Sequence, residues 1–108
     1  MGDSAKLCAR SLTDAGADVV GANCGSLDPV QMAVVISEIR SETSLPILAQ
    51  PNAGKPRLVE DKTVFDMVPA QFAQGIAECR RAGAKLVGGC CGTTPEHIRV
   101  VAKLLKRK

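Results

Sequence analysis

The chain has 108 residues, 45% of them hydrophobic and 23% charged, with a formal net charge of +3, which gives material for one modest core and excludes a multidomain assembly. The basic excess is mild, 14 Lys+Arg over 11 Asp+Glu, and Lys103, Lys106, Arg107 and Lys108 close the last helical pattern, where cations offset the negative helix end. With two Phe and neither Trp nor Tyr, the stacking platforms of RNA and single-stranded nucleic-acid binders are missing, and no nucleic-acid partner is expected.

In chain order, residues 3–15 place Ala5, Cys8, Leu12 and Ala15 on one helical face, and Gly16 follows as a C-terminal stop. Residues 17–22 read as a buried strand. Asp28 before Pro29 starts a second helix, with Val30, Val34, Val35 and Ile39 at helical spacing up to the Ser/Thr cluster at 41–44. Residues 46–50 form a second strand. Residues 51–68 read as a loop that is long for a compact α/β domain, and loops of that length usually carry function. Phe72, Ile76 and Cys79 mark the inner face of a third helix ending at Gly83. Residues 85–89 are a third strand, and Thr94-Pro95 caps a last helix that runs to Lys106. The order is αβαβαβα. Each strand is nearly all apolar, as expected of parallel strands covered on both faces.

The chain repeats itself. Residues 15–25 (AGADVVGANCG) and 82–92 (AGAKLVGGCCG) are identical at seven of eleven positions, two copies of a helix–Gly–strand–Cys–Gly unit separated by one intervening strand. Alternate strands of a (β/α)8 barrel supply the same interior layer, and sites on that fold lie at the strand C-terminal ends. Cys24, Asn52, Cys90 and Cys91 all fall at such ends. An open parallel sheet would instead line them along one edge.

No apolar stretch approaches the roughly 18 residues of a membrane span, and residues 1–10 lack the apolar run of a signal peptide. No membrane partner and a cytoplasmic location are expected. Five cysteines, two of them adjacent, argue against a disulfide framework and for metal or thiol chemistry in a reducing compartment.

The chemistry best supported is zinc on Cys24, Cys90 and Cys91, since three thiolates suit this ion and leave a fourth position for water or substrate. Neighbouring side chains on a strand point to opposite faces, so Cys90 and Cys91 can share a metal only if the backbone leaves the strand between them. Gly88, Gly89 and Gly92 permit that turn. Competing readings are a vicinal disulfide, strained and disfavoured in a reducing compartment, and an anion site where residues 88–94 run into a helix N-terminus. Cys8 and Cys79 read as buried inert thiols on apolar helix faces. His97, one turn into the last helix, reads as a surface or capping residue, with metal ligation the lesser alternative. Three thiolates make the metal a poor Lewis acid for hydrolysis, whereas a substrate thiol bound there would be held as a nucleophilic thiolate, suited to attack on a methyl group.

At GADVVGANCG (16–25), QPNAGKP (50–56) and GGCCGTTPEH (88–97) the sequence resembles the homocysteine S-methyltransferase family, in particular its cobalamin-dependent members. The resemblance implies that Cys24, Cys90 and Cys91 bind a catalytic zinc, that Asn52 can fill the fourth position before substrate arrives, and that homocysteine is methylated to methionine. The methyl donor it suggests is methylcobalamin, which this segment alone would not bind. The implied fold is a partial (β/α)8 TIM barrel, its C-terminal three strands and four helices. Residues 1–108 would then form a single segment of a homocysteine-binding domain, with five strands and the groups that bind the substrate's amino end supplied elsewhere. Such a segment exposes two strand edges and an inner face, so it is expected to pair with the N-terminal part of its barrel or to self-associate. The alternative is a non-catalytic zinc-binding remnant or assembly module that docks on a partner chain.

Overall fold

Capping chemistry sets where the first helices begin. In the computed structural model, which describes residues 4–23, 27–54, 57–65 and 67–106, helix α1 (Ala5–Asp14) starts at Ser4, whose Oγ accepts the Leu7 N–H at 3.1 Å. Helix α2 (Pro29–Arg40) starts with a reciprocal box: Asp28 accepts from the Gln31 amide while the Gln31 side chain accepts from the Asp28 amide. Helices α3 (Pro69–Ala82) and α4 (Pro95–Lys106) each open on a proline, whose missing N–H costs nothing in a first turn.

Strands β1 (Val20–Asn23), β2 (Ile47–Gln50) and β5 (Leu86–Val87) form one parallel sheet in the order β1-β2-β5. The four expected helices and three expected parallel strands are present, with strands shorter than the apolar runs that announced them. The repeat is also visible: α1 and α3 are each followed by a glycine at positive φ, Gly16 (98°) and Gly83 (124°), and then by a strand pairing with β2.

Helices cover one face of this sheet, the face carrying Val20, Ile47, Ala49 and Val87. On the other face Gly21 and Leu86 are exposed and Leu48 is half-buried, so among the described residues the strands are covered on one face and the other is open, as expected of such a segment by itself. Two apolar clusters hold the layers together, and Val87 packs against both. One joins Ala9, Met32, Ile36 and Ile39 to the sheet and to Cys79; the other joins Phe72, Ala73 and Ile76 of α3 to Val101 of α4 and to Ala53. Phe72, Ile76 and Cys79 are fully buried, as their spacing predicts, and burial of a side chain such as Phe72 is worth roughly 1.5–3 kcal/mol.

Two helix faces differ from expectation. In α2 the inward residues are Pro29, Met32, Ile36 and Ile39, whereas Val30 and Val34 are each 60% exposed. In α1 Ala9 is buried and Cys8 is exposed, contrary to its reading as a buried thiol. The segment read as a loop at 51–68 contains an antiparallel hairpin, β3 (Arg57–Val59) with β4 (Lys62–Val64). Its two-residue corner, Glu60 and Asp61, has positive φ at both positions (51° and 64°), the backbone of a type I′ turn. No helix among the described residues is long and apolar enough to cross a membrane.

Candidate functional site

Beyond the strand ends the chain keeps its lateral pairing. After Gly88 N–H meets Ala49 O at 2.9 Å, the Cys90 amide donates to Pro51 O and the Ala53 amide to Cys91 O, both at 2.9 Å. Residues 51–53 after β2 and residues 90–91 after β5 therefore run side by side. The Asn52 side chain, 2% exposed, adds a third link, with Oδ1 accepting the Cys91 N–H at 3.1 Å, while the Asn52 amide donates to Leu27 O. Asn52 and the two cysteines, assigned to one site from sequence, are thus adjacent.

Cys90 opens a tight turn. The Thr93 N–H closes on Cys90 O at 3.1 Å, and Gly92 in the third position has φ of 80°, the value a type II turn demands there and a glycine supplies without strain. A side chain at Gly92 would also run into Phe65, since an added Cβ would lie 2.4 Å from that residue's Cβ. The turn takes the two cysteines off the alternating pleat, as sharing one ligand requires. Cys90 is half-buried and Cys91 exposed. Cys24, the third cysteine of the set, lies outside the described residues. Among the described residues no three His, Cys, Asp or Glu side chains come together as a metal-binding group.

The first turn of α4 is capped from within. Thr94 stands before Pro95, and His97 occupies the position that Glu or Gln takes in a capping box. Its Nδ1 accepts the Thr94 N–H at 3.2 Å, and the His97 amide donates to Thr94 Oγ1 at 3.4 Å. With Nδ1 an acceptor, Nε2 carries the proton and donates to Met67 O at 2.7 Å. The imidazole is buried and meets Phe72 edge-on, with centroids 5.4 Å apart. His97 therefore caps α4 as expected but from the interior, not the surface, and both ring nitrogens are engaged within the chain. The same contacts occupy the Thr94 and His97 amides that an anion at this helix end would need.

Cys79 stands apart from the site. Its Sγ donates to Pro29 O at 3.3 Å, tying α3 to α2, and burial, with a smaller contribution from Glu78, pushes the thiol up to about 11. It is the inert core thiol its spacing predicts. The hairpin end was missed in sequence: Phe65 packs on the Gly92 turn, and the Met67 amide donates to Ala53 O at 3.3 Å. The Thr94-x-x-His97 spacing, a capping-box spacing with His in the last place, is the one signal that marks His97 as a cap.

Fold and site together define a class: an α/β chain with vicinal thiols in a turn beyond a parallel strand, locked to an asparagine beyond the next. Comparison with known proteins makes this specific, because the homocysteine S-methyltransferase family model matches residues 1–105, and the chain belongs to that family. It is similar to a methionine synthase of Mycobacterium leprae, 37% identical over 93 residues, and to one of Mycobacterium tuberculosis, 38% identical over 88 residues. These alignments cover 85% and 81% of this chain but 8% and 7% of those proteins. A protein of maize named homocysteine S-methyltransferase 4 is 37% identical over 93 residues, covering 82% of this chain and 27% of the maize protein. The chain thus spans less than a third of each of these relatives. The family read from the GANC, PNAGKP and GGCCGTTP motifs is borne out.

Proposed function

We propose that the chain is the cysteine-bearing part of a zinc-dependent homocysteine S-methyltransferase. Cys24, Cys90 and Cys91 would hold Zn²⁺ with Asn52 beside the open position, and homocysteine sulfur would take a methyl group from a donor such as methylcobalamin to give methionine. The observation that carries this reading is the pairing of residues 51–53 with residues 90–91, which brings a buried side-chain amide against the backbone of two cysteines in one turn. Thiolates with one neutral oxygen donor are a donor set that suits zinc. A zinc ion held there supplies the positive charge that keeps a bound thiol ionised near neutral pH. The chain's own residues orient the site: Asn52 fixes the Cys91 backbone, and the Gly92 corner turns the two side chains off the pleat.

The same proposal makes the sheet part of a closed (β/α)8 barrel. In the internal repeat Val20 corresponds to Val87, but across the sheet the residue level with Val87, through Ala49, is Ala22. Equivalent positions two strands apart are therefore staggered by two residues. An eight-stranded barrel of shear 8 has a stagger of about one residue per strand, so the register supports closure. The exposed Gly21 and Leu86 would then line an interior completed by further strands, and those strands are the proposed partner.

Metal content of the full chain purified under reducing conditions tests the site. About one zinc per chain is expected for three thiolates with an open fourth position, lost in both Cys24→Ala and Cys90→Ala; unchanged stoichiometry in Cys90→Ala would remove that residue. A second reading, a non-catalytic zinc-binding module that docks on another chain, is favoured by the exposed sheet face and by an apolar groove of about 210 Å³ between α1 and β1, lined by Ala5, Cys8, Leu12, Val20 and Val35. Methyl transfer from methylcobalamin to homocysteine, assayed with and without a polypeptide carrying the other strands, separates the two. Activity that appears on mixing supports the enzyme, and a stable, zinc-loaded but inactive complex supports the module.

A further inference from the structure

We infer that His97 is a positioning residue for the thiol pair, acting through a closed circuit of hydrogen bonds of which the catalytic reading uses only the Ala53–Cys91 link. The circuit runs from the His97 Nε2–H to Met67 O (2.7 Å), from the Met67 amide to Ala53 O (3.3 Å) and from the Ala53 amide to Cys91 O (2.9 Å). From Cys91 the chain itself passes through the Gly92 corner to Thr94, whose N–H returns to His97 Nδ1 at 3.2 Å. One imidazole therefore spans the two ends of the turn region: it holds the first turn of α4 on one side and the exit of the hairpin on the other. Phe65, two residues before Met67, packs against Gly92 within that circuit. Partly buried donors and acceptors linked in this way tend to open together, because breaking one leaves its partner in a site that water only partly reaches. Loss of the Nε2 contact would free Met67, then the Ala53 link, and leave the Cys90–Cys91 turn with its own closure, the Cys90 bond to Pro51 O and Asn52.

The chemistry assigned to those thiols rests on the zinc reading above, so the test has one arm that needs no metal. In the metal-free full chain, the amides of Ala53 and Met67, the circuit's main-chain donors on the Nε2 side of His97, should share one opening equilibrium in hydrogen exchange. His97→Asn, which keeps an acceptor for Thr94 and loses the reach to Met67, should lower their protection by about tenfold. His97→Gln, which restores a donor at the Nε2 position, should recover most of it. Amides of Ile36 and Ala49 in the other apolar cluster should not change. Equal loss at every amide would make His97 a plain stability residue and overturn the inference, as would no loss at all. If His97→Asn does not fold, the shared opening in the unsubstituted chain decides: unrelated protection factors at the two amides would refute the circuit.

The second arm is zinc affinity by chelator competition. It should weaken by about tenfold in His97→Asn and recover in His97→Gln. Unaltered affinity alongside altered exchange would overturn the positioning role. A chain that binds no zinc in any form, yet shows the exchange pattern, would instead reject the zinc reading and leave the circuit standing.

Discussion

Replacing Asn52 with alanine isolates the hydrogen bond that joins the β2 end to the cysteine turn. Asn52 is 2% exposed and its Oδ1 receives the Cys91 N–H at 3.1 Å in a partly buried bond, so truncation removes that acceptor from a main-chain donor, at a cost between that of a bond water can replace and that of a fully buried one. An unsatisfied buried donor costs about 1–3 kcal/mol, against about 0.5–1.5 kcal/mol for the net worth of a typical bond. The backbone links on either side survive, because the Asn52 amide still meets Leu27 O and the Ala53 amide still meets Cys91 O. The variant should therefore fold, at a cost below the roughly 5–15 kcal/mol total of a small domain. With a urea slope of about 1–3 kcal/mol per molar, the midpoint should fall by roughly 1 M. Urea unfolding followed by circular dichroism gives that number, and exchange of the Cys91 amide gives its location. A midpoint within about 0.2 M of the unsubstituted chain, with Cys91 exchange unchanged, would refute the view that Asn52 anchors the turn.

Two further outcomes are expected. An unfolded thiol ionises near 8.5, whereas Cys79 in the folded chain does so at about 11; as pH rises between these values the unfolded state sheds a proton the native state keeps, and stability falls. The urea midpoint of the unsubstituted chain should accordingly drop relative to that of Cys79→Ala from pH 8.5 to 11, and parallel profiles would disprove the shift. At the hairpin corner, Glu60→Asn with Asp61→Gly should stabilise β3–β4 by about 1 kcal/mol, since Asn-Gly adopts positive φ with less strain. Hairpin amides should exchange roughly fivefold more slowly if the corner has the geometry described, and no change would count against it.

The parts of the fold legible in sequence are those fixed by neighbours in the chain. Asp28-Pro29 announces α2 because the capping box needs only four consecutive residues, and Phe72, Ile76 and Cys79 announce the buried face of α3 because they recur at helical spacing. Val30 and Val34 recur equally well yet face outward, because Pro29, Met32 and Ile36 fill the contact with α3 and β2 instead. Periodicity ranks faces by composition and cannot tell which one has a neighbour. The hairpin was invisible for a local reason: its corner is Glu-Asp, without the glycine or asparagine that usually marks a positive-φ pair. At the site, Asn52, Cys90 and Cys91, which the structure places side by side, could be grouped because the motifs tie them to strand ends, whereas Cys24 lies outside the described residues. His97 could not be read as an inward cap, since its Nε2 partner is a main-chain carbonyl 30 residues away, and a carbonyl leaves no mark on residue type.

The turn at Cys90 has a mechanical consequence. In the proposed site the two thiols, on consecutive residues of a four-residue corner, would form a chelating pair whose separation is set by short-range backbone geometry, so stretching or shearing of the sheet would barely alter their spacing. The proposed third ligand, Cys24, follows β1 in sequence, and would not share that fixed spacing. An ion gripped by both should therefore be released in order, the distant thiol first and the corner last. That order would leave a two-sulfur foothold from which the ion could be recaptured without diffusing away.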